Sequence, residues 1–242
     1  MNKNFKFSFL GFVKTSLLFL FINLAVLLVA NSNDISELDT NSFTNFFSDS
    51  NKISLLNAHL VENELATDLK ALGMDNMSPD EAEVFLFILK LSESITLTDA
   101  RNLAKLIIDE CRNYELDPFL ILAVIQTESN FTPKAVSPKG AIGLMQVMPN
   151  TGEYVAKDLG ISYNGRKSLY DPLINVKLGI HYLSFLEDKF DTVEHALAAY
   201  NYGPAKFANS KTLSKNLPKY VKKVLNFKSF LEEESILLAK NS

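Results

Sequence analysis

A chain of 242 residues with 47% hydrophobic content has room for one globular core and an N-terminal addition. Its formal net charge of −4 and pI near 5.5 exclude general nucleic-acid binding, which needs a basic footprint. The single cysteine, Cys111, excludes an intrachain disulfide and a multi-cysteine metal site, and His59, His181 and His195 lack metal-ligand spacing, so no metal or other cofactor is expected.

At the N-terminus, Lys3, Lys6 and Lys14 precede an apolar run from Leu17 to Ala30, broken only by Asn23 and followed by polar Asn31 to Asp34. Residues 1–30 read as an export signal cleaved after Ala30, which places the mature protein in the periplasm or cell envelope. The alternative is a retained membrane anchor, because apolar residues reach back to Phe5 and Lys6 and Lys14 can snorkel. The short apolar core favours cleavage. Residues 31–52 are rich in Asn, Ser, Asp and Thr and form a linker. Residues 53–97 make an accessory region of two helices. The first carries Leu56, Leu60, Leu65, Leu69 and Leu72 at helical spacing and stops at Gly73; the second starts at the capping box Ser78-Pro79-Asp80-Glu81 and runs through Leu91. Their expected role is support of the fold or docking of an envelope partner.

The main domain, residues 98–235, opens with a helix from Thr98 to about Tyr114, on which Cys111 is a small buried residue. Asp117-Pro118 starts the next helix, with Asp as N-cap and Pro in the first helical position. That helix is apolar on nearly every face through Ile125 and ends near Glu128-Ser129-Asn130. Pro133, Pro138, Gly140 and Gly143 break up any regular element between Phe131 and Gly143, predicting a loop. Pro149 starts a helix that ends near Gly160. Asp171-Pro172 starts a longer one to about Phe190, with an apolar stripe of Leu173, Val176, Ile180, Leu183, Leu186 and Phe190. Thr192 caps a helix ending at Tyr200-Asn201, and Pro218 begins a basic-faced helix with Lys219, Lys222 and Lys223. No strand is expected, so the fold class is all-α.

One carboxylate stands out. Ile121, Val124 and Ile125 lie on or near the face of Glu128, and the helix C-terminus carries partial negative charge. Both desolvation and the dipole disfavour its ionised form and raise its pKa, which suits a general acid for glycosidic cleavage. No second catalytic carboxylate is evident, since Glu153, Asp171, Asp191 and Glu194 each have a local helix-end role.

Glu128-Ser129, Gly143-Leu144-Met145-Gln146 and Ala199-Tyr200-Asn201, in this order and with Ser137-Pro-Lys-Gly-Ala141 before the second, resemble the catalytic domain of the soluble lytic murein transglycosylases. The resemblance runs from about Thr98 to Phe230 and implies a lysozyme-like fold. It implies cleavage of the β-1,4 bond of peptidoglycan glycan strands, with Glu128 as acid and then base and the substrate's own C6 hydroxyl as nucleophile. It further implies that Ser129 sits near Glu128 and the N-acetyl group, that Gln146 and the backbone around Met145 line the saccharide cleft, that Tyr200 places its hydroxyl near Glu128, and that Asn201 holds sugar or backbone. Tyr202 stands where the family often has a small residue and Ala205 where it often has a second glycine after Gly-Pro, departures that bear on subsite preference. With no tryptophan, sugar stacking must use residues such as Phe131, Tyr154, Tyr182 or Tyr202. A hydrolytic muramidase using the same Glu, and a non-catalytic glycan-binding component of an envelope-spanning apparatus, are the alternative readings.

Overall fold

A computed structural model describes residues 76–210 and 218–240, with side chains as far as residue 236. The export signal, the linker and the helix expected over Ile53 to Leu72 lie outside the described residues. The chain separates into two compact units, and the geometry below belongs to the one formed by Met77–Glu233.

Among the described residues the regular structure is helical. Helix α1, Pro79–Leu91, is launched by Ser78, whose hydroxyl accepts from the Glu81 amide while the Glu81 carboxylate accepts from the Ser78 amide, a complete capping box. Helix α2, Leu97–Tyr114, starts earlier than the sequence suggests: Thr96, not Thr98, is the N-cap, accepting from the Asp99 amide. Helix α3, Pro118–Ser129, is capped by Asp117 as expected. Helix α4 is Pro149–Asp158, a 3-10 turn covers Gly165–Tyr170, and helix α5 is Pro172–Phe190, capped by Asp171. Helix α6, Val193–Tyr202, is capped by Thr192; short α7 is Pro204–Ala208; and α8 is Lys219–Lys240.

α3 forms the centre. Leu120 to Ile125 are all buried, as the nearly uniform apolar sequence requires, since a helix with no polar face has no side to give to water. Helices α1 and α2 pack on it and on each other, α5 lies against α2, and α4 and α6 flank α5. Helix α1, which the sequence groups with the accessory region, therefore packs within the same unit as the rest. Its Phe87 meets Phe119 of α3 edge to face, with centroids 5.5 Å apart. The segment between α3 and α4 is irregular, as its prolines and glycines predict, with isolated bridges pairing Ile142 to Val136 and to Val147.

Candidate active site

α3 delivers Glu128 to the edge of the core. Directly after the helix, Asn130 and Phe131 both take left-handed backbone, with φ of 51° and 54°, and turn the chain sharply. This conformation is unfavourable for a phenylalanine, and it persists because the side chain is buried and the Phe131 carbonyl accepts from the hydroxyls of Ser92 and Ser94. Phe131 is therefore a core anchor and not the sugar platform the sequence allowed. Glu128 itself is half-buried. Burial pushes its carboxyl above the ordinary 4.5, against the opposing pull of a hydrogen bond from Tyr220 and the charge of Lys223. The Tyr220 hydroxyl donates to Glu128 Oε1 at 2.7 Å.

Opposite Glu128, the loop ahead of α4 is held by a buried amide. Asn175 of α5 is fully buried; its Oδ1 accepts from the Met145 amide at 2.8 Å, and its Nδ2 donates to the carbonyls of Ile142 and Leu169 at 2.8 and 3.0 Å. Gly143 is required beside it, because its φ is +81° and a Cβ there would run into the Asn175 amide. Gln146 follows with φ of 50°, its Nε2 donating to the carbonyls of Ala135 and Gly143. Met145 is wholly buried with its thioether packed onto Gly179, where any Cβ would collide with it.

The Tyr200 hydroxyl donates to the Met145 carbonyl at 2.8 Å. It is thus joined to the loop instead of to Glu128, although burial and the charge of Glu128 together hold its phenol well above 10. Tyr182 tilts against it, with ring centroids 5.6 Å apart.

These parts enclose a cleft of about 470 Å³ whose walls include Glu128, Gln146, Tyr182, Tyr200, Asn201 and Tyr202. Among its described lining residues Glu128 is the only carboxylate. Of the residues the sequence singles out, the structure brings Glu128, Gln146, Tyr200 and Asn201 together. It leaves Ser129 and Met145 behind the wall: Ser129 is buried with its hydroxyl donating to the Ile125 carbonyl at 3.1 Å, and Met145 acts through its backbone. Sequence reasoning misses Tyr220 and Asn175. Tyr220 carries no local signal, being an aromatic in the first turn of a lysine-rich helix. Asn175 does carry one, a polar residue inside the apolar stripe of α5.

The family model described as Transglycosylase SLT domain matches residues 105–222. These residues resemble the transglycosylase SLT domain family. Over 114 residues the chain is 39% identical to the membrane-bound lytic murein transglycosylase C of Mannheimia succiniciproducens, covering 43% of this chain and 32% of that one. It is 40% identical over 113 residues to the transglycosylase of Enterobacteria phage PRD1, covering 47% and 39%. Among solved structures, the 70 kDa soluble lytic transglycosylase of Escherichia coli matches with a TM-score of 0.51 at 25% identity, over 65% of this chain and 30% of that one. The chain thus spans about a third of the length of these proteins. The matched segment carries Glu128, the loop pinned by Asn175, and Tyr200 and Tyr220, and it begins within α2.

Proposed function

We propose that the protein is a peptidoglycan lytic transglycosylase in which Glu128 is the single acid and base. The neutral carboxyl of Glu128 gives its proton to the glycosidic oxygen of the bond between N-acetylmuramic acid and N-acetylglucosamine as positive charge develops at the muramoyl C1. The C6 hydroxyl of the same sugar attacks C1 and returns its proton to the Glu128 carboxylate. The product ends in a 1,6-anhydro ring, no water is consumed, and the enzyme is regenerated. Because the nucleophile is part of the substrate, its effective concentration is high and no second carboxylate is needed to activate water.

The observation that carries this reading is the cleft with one half-buried carboxylate of raised pKa. Tyr220 fixes Oε1, so that Oε2 is the atom that holds and transfers the proton. Gln146, Asn201 and Tyr202 meet the saccharide, whereas Ser129 and Met145 work from behind, ending α3 and fixing the Tyr200 hydroxyl. The catalytic domain is assigned to residues 98–235, with α1 as its packed support. Relatives named as membrane-bound and soluble lytic murein transglycosylases support a place in the cell envelope, reached through the N-terminal export segment.

The test is release of soluble fragments from purified peptidoglycan by the chain without residues 1–30. Glu128→Gln keeps shape and loses the transferable proton, and is expected to lower turnover by about 10²- to 10⁴-fold while retaining glycan binding. Turnover undiminished in that variant would remove Glu128 from the mechanism.

A further inference from the structure

The cleft wall does not stop at its rim. On α4, Thr151 lines the cleft and Tyr154 stands three residues further on; on α5, Tyr182 lines it and Phe185 stands three further on. Residues at this spacing are neighbours along one helix face, so each outer ring extends the wall by about 5 Å. Phe185 packs nearly parallel to Tyr182, with an interplanar angle of 16° and centroids 6.4 Å apart, and Tyr154 meets Phe185 at 6.3 Å. With the Tyr182 and Tyr200 contact, this makes an unbroken aromatic track from beside Glu128 to the surface. Its outer members reach solvent: Tyr154 is 57% exposed and Phe185 is 37% exposed. The Lys189 ammonium lies 5.7 Å from the Phe185 centroid, which adds a cation at the outer end.

From this track we propose that Tyr154 and Phe185 form an outer saccharide subsite that grips the glycan strand about one sugar beyond the cleft. The inference rests on the proposed function for the choice of occupant. A glycan strand fits better than a protein partner because the exposed rings are continuous with the cleft through Tyr182, and a polymer lying in the cleft must pass out over one of its ends. Aromatic rings offer pyranose faces a flat apolar surface, and this chain, lacking tryptophan, has only Tyr and Phe to do it with. The subsite makes the enzyme prefer long strands to short fragments.

The experiment compares dissociation constants for long peptidoglycan strands and for a peptidoglycan tetrasaccharide. It uses the Glu128→Gln chain, expected to bind glycan with turnover too slow to consume it, with and without Tyr154→Ala and Phe185→Ala. The ratio of long-strand to tetrasaccharide affinity is expected to fall about tenfold on loss of both rings. Tyr154→Phe with Phe185→Tyr, which keeps the rings, is expected to preserve the ratio. An unchanged ratio in the alanine pair, whether both affinities hold or both fall together, would overturn the subsite and leave the proposed function standing. Absence of glycan binding by Glu128→Gln at either length would overturn both.

Discussion

At the residue scale the site is organised around a group that is unfavourable where it stands. Glu128 is half-buried at the C-terminal end of an apolar helix, and burial raises its carboxyl above 4.5. A carboxyl whose folded pKa lies above its unfolded one binds more protons in the native state, so stability declines as pH rises from the unfolded pKa through the folded one. Glu128→Gln removes that loss. Thermal unfolding is therefore expected to show the variant more stable than the parent at neutral pH, with the difference closing below about pH 4.5. The same raised pKa sets an alkaline limit on activity, because above it Glu128 has no proton to give. Tyr220→Phe sharpens this expectation. Its hydrogen bond favours the charged form of Glu128, so its removal should move the alkaline limb of the pH–rate profile upward while reducing the rate about ten- to a hundredfold. A limb that moves to lower pH would contradict the role given to Tyr220.

At the scale of elements, helix starts were the most legible feature of the sequence. Ser78, Asp117, Asp171 and Thr192 each cap the helix expected of them, because an N-cap is a contact between residues two or three apart and needs nothing distant. The displacement at α2 has a local cause too. Two threonines precede Asp99, and Thr96 is the one placed to bond its amide. The cleft wall was less legible because its organiser is remote: Asn175 lies 30 residues from the Met145 amide it receives and 33 from the Ile142 carbonyl it serves. Asn175→Ala would leave these buried partners unsatisfied. Urea unfolding is expected to show a loss of about 3 kcal/mol, with glycan cleavage falling as the loop around Gln146 loses its support. A loss within that of an ordinary surface substitution would mean that water or loop rearrangement replaces the amide.

At the scale of the whole molecule, the fold class followed from the sequence, as did the choice of Glu128 as the carboxylate that lines the cleft, but the wiring of the site did not. The family resemblance implies a Tyr200 hydroxyl near Glu128, and Tyr200 does line the same cleft and feel its charge, but the hydrogen bond to Glu128 comes from Tyr220, 92 residues away along the chain, while Tyr200 secures Met145. Periodicity reports which face of a helix is apolar and cannot report which distant side chain will close over it. Lys228 of α8 pairs with Asp117 at 2.8 Å, so the helix bearing Tyr220 is tied to the N-cap of the helix bearing Glu128. Glu128 and the phenol bonded to it are thereby set by one helix pair, and Tyr154 and Phe185 on α4 and α5 belong to a separate wall. This division predicts that changes at Tyr154 and Phe185 alter strand-length preference without moving the pH–rate profile, which changes at Tyr220 do move. In the proposed reaction the substrate's own C6 hydroxyl, and not water, captures the muramoyl C1. The most direct measurement is mass spectrometry of fragments released from purified peptidoglycan in ¹⁸O-labelled water, with Glu128→Gln as control. Anhydro-ended products carrying no label and absent from the control are the predicted result; products heavier by one labelled water would make the protein a hydrolytic muramidase.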